Sequence, residues 1–229
     1  MIKLIIGGIG SGKTISAVKS IIDRKIPAFT NFPIDYKFAT RLKEEHIVNK
    51  EVSNVTKTGK ETYKYNVNWE FWRKEQQNKF DIYLDEVHNM LSSRRSISSW
   101  NVNVSKWLSQ IRKLLGSNKH NHLYLITQRL YGIDVTAREL AGEIIYLRGI
   151  VGKRLVPTAI VQGGRLKTKM LPETYIIKHY FRGEECLDKF EMFKAGHETD
   201  DSMSYFLANP YYRFYDTYDI VEFGESVYV

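Results

Sequence analysis

Three short apolar runs punctuate a chain that elsewhere mixes polar and apolar positions: Leu4-Ile5-Ile6, Ile82-Tyr83-Leu84 and Leu123-Tyr124-Leu125-Ile126. Runs of this length, bounded by turn or polar signals, read as buried strands. Each ends in an abrupt change of character: a glycine-rich stretch, an acidic pair, and Thr127-Gln128-Arg129. Between them the period shifts towards 3.6. Ile15, Val18, Ile21 and Ile22 predict a helix over 13–24 that packs on a sheet, ended by Pro27. Residues 28–32 form a short apolar strand that leaves polar Thr30 and Asn31 near its end, and 35–48 read as helical. Residues 52–56 and 62–67 alternate around Thr58-Gly59 as an inserted β-hairpin. Trp69 and Trp72 mark a helix over 68–79 that leads into the strand 80–84. Residues 92–105, rich in Ser, Asn and Arg, read as a polar loop. Trp107, Leu108, Ile111, Leu114 and Leu115 then predict a helix over 104–115, capped by Gly116. A short helix over 136–142, a strand over 144–148, and a second hairpin of 155–162 with 165–171 about Gly163-Gly164 follow. Strands alternating with helices predict an α/β fold, with a mostly parallel central sheet flanked by helices and carrying hairpin insertions.

The end of the first strand carries chemistry. Gly7-Gly8-Ile9-Gly10-Ser11-Gly12-Lys13-Thr14 matches G-x-x-x-x-G-K-[ST], the phosphate-binding P-loop, between a strand and a helix as that motif requires. Glycines let the backbone N–H groups approach phosphate oxygens, and the helix start adds its positive dipole end. Lys13 would reach the β- and γ-phosphates of ATP, Thr14 would ligate Mg²⁺, and Ile15 would complete the nucleotide-binding stretch. The strand ending in Asp85-Glu86 then has the form of a Walker B element. Asp85 would hold Mg²⁺, and Glu86 would deprotonate the attacking water. Gln128, at the end of the third strand, could reach the γ-phosphate as a sensor. His88 could contact nucleotide or DNA, or simply pack.

Charge extends the picture. The chain of 229 residues has a net charge of +8, unevenly placed: residues 87–172 carry 14 basic and 3 acidic residues, whereas 173–229 carry 5 basic and 12 acidic. No acid lies between Glu86 and Asp134, where Arg94, Arg95, Lys106, Arg112, Lys113, Lys119 and Arg129 fall. Such a stretch suits a polyanion, most simply double-stranded DNA, with Arg94, Arg95, Lys106, Lys113 and Lys119 as candidate contacts. A solvated basic face, or one paired with the acidic tail, is the alternative. The tail is also aromatic, which divides the chain into a P-loop core over 1–172 and an extension over 173–229 packed on that core. Cys186, the single cysteine, can form no internal disulfide and no multi-cysteine zinc site, so a reducing cytoplasmic setting is expected, that of the host cell if the chain is viral, or association with a virion. No apolar run approaches the roughly 18–20 residues of a membrane span.

The ordered set of Gly7 to Thr14, Phe29-Thr30-Asn31-Phe32, Tyr83-Leu84-Asp85-Glu86-Val87-His88, Ile111-Arg112-Lys113 and Leu125-Ile126-Thr127-Gln128-Arg129 resembles the zonular-occludens-toxin-like ATPases of filamentous phages. These lie within the FtsK/HerA superfamily, which includes viral genome-packaging ATPases. The resemblance covers residues 1 to about 148. It implies a RecA-like P-loop NTPase core with the Gln128 strand between the other two. It further implies assembly into a homo-oligomeric ring, a hexamer, and ATP-driven movement of double-stranded DNA. An arginine finger would act on the neighbour's nucleotide; Arg112 fits best, ahead of Arg94, Arg95, Arg129 and Arg138. The phage morphogenesis proteins carry a membrane-spanning segment after the ATPase region. Its absence from this sequence favours a soluble packaging motor, with a capsid or portal protein as a further partner.

Two other functions compete. A morphogenesis ATPase would act on protein partners through the same basic patch. A small nucleotide or nucleoside kinase would also use a P-loop, but it has no need of a hydrolytic Glu86. The tetrapeptide Asp85-Glu86-Val87-His88 resembles the DExH helicase box too, yet those enzymes need two motor domains in tandem, and this length holds one.

Overall fold

The computed structural model describes residues 1–35, 37–55, 59, 61–75, 78–90, 99–116 and 121–216. In chain order its elements are β1 (Ile2–Ile6), α1 (Lys13–Arg24), β2 (Ala28–Thr30), β3 (Thr40–Arg41), α2 (Glu44–Ile47), β4 (Val48–Val55), β5 (Glu61–Val67), α3 (Trp69–Glu75), β6 (Asp81–Leu84) and α4 (Val87–Met90). There follow α5 (Ser99–Gly116), β7 (Leu123–Thr127), α6 (Val135–Glu139), β8 (Ala141–Gln162), β9 (Arg165–Arg182), α7 (Cys186–Lys194) and β10 (Ser202–Leu207). A 3-10 segment, Asn209–Phe214, comes last.

The main sheet has eight strands in the order β10-β9-β8-β1-β7-β6-β2-β3. From β8 to β3 every pairing is parallel, and β9 and β10 add antiparallel strands at one edge. Side chains alternate across a strand, so each inner strand feeds both faces. Leu4, Ile6, Leu84, Leu125 and Ile144 meet Trp72, Trp107, Leu108 and Ile111 on the α3/α5 side. Ile5, Tyr83, Ile126 and Ile145 meet Ile15, Val18 and Ile21 of α1 on the other. The P-loop NTPase architecture expected from the sequence is present, including β7 between β1 and β6. The first hairpin forms as β4 with β5, in a separate two-stranded sheet.

Several local expectations are corrected. Of 35–48, only Glu44–Ile47 is helical; Leu42 N–H donates to Thr30 O at 2.7 Å, which ties this stretch to the sheet edge instead. The polar loop expected over 92–105 is helical from Ser99, because buried Trp100 and Val104 extend the apolar stripe of α5 backwards. Trp100 Nε1 donates to Met90 O at 3.0 Å. The two strands drawn at 144–148 and 155–162 are one strand, β8, kinked by a register shift between Val151 and Leu155. Exposure of Arg148 to Val151 removes the alternation that would have signalled continuity. Likewise β9 runs through residues 165–182, so the division at 172/173 falls inside a strand. Beyond it, β10 pairs with β9, and Tyr211, Tyr212, Phe214 and Tyr215 pack against the α1 side of the core.

Candidate functional site

Because β1, β7 and β6 are adjacent and parallel, their carboxyl ends open onto one crevice, the position where open α/β sheets bind ligands. Ile6 is in register with Thr127, and Leu84 with Leu125, which brings Gly7, Gln128 and Asp85 to the same edge. The loop from Gly7 to Gly12 leaves β1 and turns into α1. Gly12 takes φ +86°, left-handed, and a Cβ there would also collide with the Ile176 side chain. A Cβ at Gly7 would stand 2.9 Å from Leu147 O. Gly8 and Gly10 complete the turn, with Ser11 N–H donating to Gly8 O at 3.2 Å, while Ile9 projects into solvent. Ile15 is buried in the α1 core and faces no ligand space.

Lys13 Nζ donates to Gly7 O at 3.0 Å and to Gly8 O at 2.9 Å. Burial lowers its pKa, against the opposing pull of Asp85 and Glu86. The Ser11 hydroxyl is buried with no hydrogen-bond partner among the described residues. With α1 presenting its amino end and no acid in its first turn, this loop suits an anion.

Thr14 Oγ1 donates to Asp85 Oδ2 at 2.6 Å. Burial raises the pKa of Asp85, while the Thr14 and Glu86 hydrogen bonds pull it down. Two hard oxygen donors meeting here fit Mg²⁺, which is commonly held by one or two carboxylates plus substrate phosphates. No cluster of three or more His, Cys, Asp or Glu side chains suited to a metal occurs among the described residues. Glu86 follows in a left-handed conformation, φ +51°, unusual for a residue with a Cβ. Its carboxylate accepts from Gln128 Nε2 at 2.8 Å and lies 3.3 Å from His88 Nδ1, which is in turn 3.4 Å from Thr127 Oγ1.

Asn31 is the residue that sequence reasoning left without a role. Buried at the end of β2, it donates through Nδ2 to Asp85 O at 2.9 Å and accepts from Asp85 N–H at 2.7 Å through Oδ1. The signal was a polar pair, Thr30-Asn31, closing an otherwise apolar strand. His88 was singled out, but its contact with Glu86 depends on the turn after β6.

Other candidates fall elsewhere. Lys106 and Lys113 are exposed on the outer face of α5. Arg112, also exposed, lies beside Met1, His122 and Ala141, at the amino edge of the sheet. A five-residue strand, about 16 Å, separates that edge from the P-loop, so Arg112 cannot serve the nucleotide site of its own chain. Arg129 is exposed at the carboxyl edge, and the Arg138 guanidinium lies 5.2 Å from the Tyr131 ring. Arg94, Arg95 and Lys119 lie outside the described residues.

A P-loop opening a helix at the carboxyl edge of a parallel sheet, with Thr14 on Asp85 and Gln128 on Glu86, defines a P-loop NTPase. The chain belongs to the zonular occludens toxin (Zot) family, whose profile matches residues 1–169. Among solved structures it is similar to the N-terminal domain of zonular occludens toxin from Neisseria meningitidis, with 16% identity over 93% of this chain and 97% of that one, at a TM-score of 0.46. It is also similar to B204, the DNA-packaging ATPase of Sulfolobus turreted icosahedral virus, with 19% identity over 63% of this chain and 74% of that one, at 0.36. The B204 of Sulfolobus turreted icosahedral virus 2, solved with ATP-gammaS, gives 18% identity over the same shares at 0.40. None of the curated proteins matches. Among the described residues, no helix is long and apolar enough to cross a membrane.

Proposed function

We propose that this protein is an ATP-hydrolysing motor that moves double-stranded DNA, packaging a viral genome. The observation that carries the reading is the pairing of Glu86 with Gln128 one residue beyond Asp85, which itself touches Thr14. In this reading Lys13 and the loop N–H groups bind the β- and γ-phosphates of ATP. Thr14 and Asp85 hold Mg²⁺, which when bound neutralises phosphate charge. Glu86 takes the proton of the attacking water, and Gln128 orients the Glu86 carboxylate towards it. A hydrolytic glutamate so held has no task in a nucleotide kinase, where the acceptor is a substrate hydroxyl or phosphate.

The DNA step is supported by the acid-free stretch after Glu86 and by exposed Lys106 and Lys113 on one helix face. The place of Arg112 supports a ring, a hexamer, in which one subunit offers its amino edge to the next subunit's crevice. A capsid or portal protein would be the stationary partner. Hydrolysis measured with and without duplex DNA at two salt concentrations tests the motor, with Glu86→Gln as the control that abolishes turnover. Stimulation that fades with salt is expected, since phosphate contacts release counterions. Absence of any response to DNA overturns the reading. Arg112→Ala should abolish turnover and spare nucleotide binding; a finger is worth roughly 10³–10⁵ in rate.

A further inference from the structure

The β8–β9 ribbon has two ends with different properties. Its root abuts the P-loop: Leu147 O faces Gly7, the Ile176 side chain backs Gly12, and a Cβ at Gly149 would stand 3.1 Å from Gly10 O. Exposed cations follow along it: Arg148 ahead of the register shift at Val151/Leu155, Lys153 and Arg154 within the shift, and Arg165, Lys167 and Lys169 on the outer part beyond it. Within 144–183 the only acid is Glu173. No ion pair forms at any of the six cations among the described residues. Asp216, the acid at the tip, accepts from Gly164 N–H at 3.2 Å.

The register orders these charges. Lys169 lies opposite Thr158, Lys167 opposite Ile160, and Arg165 opposite Gln162, so the three basic side chains share one face of β9. Residues two apart in a strand are spaced about 6.6 Å, so the three cations form an evenly spaced row that a polyanion backbone can follow. A two-stranded ribbon is also of a width that the major groove admits.

We infer that the outer β8–β9 ribbon is the DNA-contacting arm of the motor, with Arg165, Lys167 and Lys169 on the phosphate backbone, and that its root against Gly7, Gly10 and Gly12 links this contact to the nucleotide site. The inference rests on the motor reading above. Leu147, Gly149 and Ile176, which stand against Gly7, Gly10 and Gly12, all belong to the two strands of the arm, so the nucleotide loop and the arm share one packed contact. The opposite face of the ribbon exposes Leu155, Leu166 and Met170, and a second copy of this chain is the competing occupant.

The test compares duplex binding by the parent and by Arg165→Ala/Lys167→Ala/Lys169→Ala, followed by anisotropy of a labelled duplex between about 50 and 200 mM salt. Nucleotide affinity serves as the check on folding. Three lost contacts should reduce the salt slope by about 2.7, so that the fall in affinity over this fourfold range shrinks roughly fortyfold. Lys167→Arg/Lys169→Arg should bind as the parent does. Should the triple variant fail to fold, Lys153→Ala/Arg154→Ala reports on the same arm, with a slope smaller by about 1.8. A parent stimulated by DNA alongside a folded variant of unchanged slope overturns the arm and leaves the motor standing. A changed oligomeric state with retained DNA affinity overturns it in favour of a subunit contact. A parent that neither binds nor responds to DNA overturns both.

Discussion

Asn31 ties the end of β2 to the backbone of Asp85, and its removal should damage stability and turnover together. Asn31→Ala leaves two buried backbone groups, Asp85 N–H and Asp85 C=O, without their partners. Each unsatisfied group costs about 1–3 kcal/mol, so the loss is roughly 2–6 kcal/mol. The next residue, Glu86, sits at φ +51°, a conformation that costs an L-residue about 1–2 kcal/mol. Freed of its tether, the turn relaxes and the Glu86 carboxylate leaves Gln128. A displacement of about 1 Å at a reacting group can lower turnover on the order of 10²-fold. Lys13 and the loop N–H groups keep their places while Thr14 meets the loosened turn through Asp85, so nucleotide affinity should fall by less than turnover does. Urea unfolding gives the stability term, and single-turnover hydrolysis with a fluorescent-nucleotide titration separates chemistry from binding. Asn31→Asp should not rescue, because it cannot donate to Asp85 O and it sets a second carboxylate beside Asp85. A stability change under about 0.5 kcal/mol with turnover intact would refute the tether.

Two further outcomes test the core and its titration. Trp72 is fully buried, with the rings of Phe29, Phe71, Phe80 and Trp107 around it at 5.0–6.0 Å; Trp72→Ala should cost about 3–5 kcal/mol in urea unfolding, and Trp72→Phe less, since Trp72 Nε1 has no hydrogen-bond partner among the described residues. His122 has its pKa lowered to about 3, first by burial and then by Lys3 and Arg24. Above the ordinary value near 6.5 both states are neutral there; as pH falls towards 3 the unfolded chain alone takes up the proton, so stability is lost through that window. His122→Gln should therefore lose less of its thermal midpoint between pH 7 and 5 than the parent, and an equal loss would show that the imidazole is not held neutral.

Local pattern alone carried much of this molecule. Glycine spacing, the apolar run before it and the helical period after it placed Gly7 to Thr14, because a phosphate loop is built from contiguous residues whose backbone freedom is visible in their types. Adjacent acids after an apolar strand placed Asp85 and Glu86 for the same reason. Contacts across the sheet were settled only by the tertiary structure. Asn31 meets Asp85 across 54 residues, through a pairing of β2 with β6 that no periodicity encodes. Burial on both faces of the strands and the long exposed ladder of β8 and β9 hid where one element continues into the next. Arg112 lies on a helix that falls between two of the motif strands in sequence, yet helix direction carries it to the opposite edge of the sheet. The glycines of the loop said that backbone must come close to something; the fold supplied the neighbours, Leu147 and Ile176 of an outer ribbon. Close packing of distant strands, which depends on register and crossover rather than on composition, decided which residues touch the site.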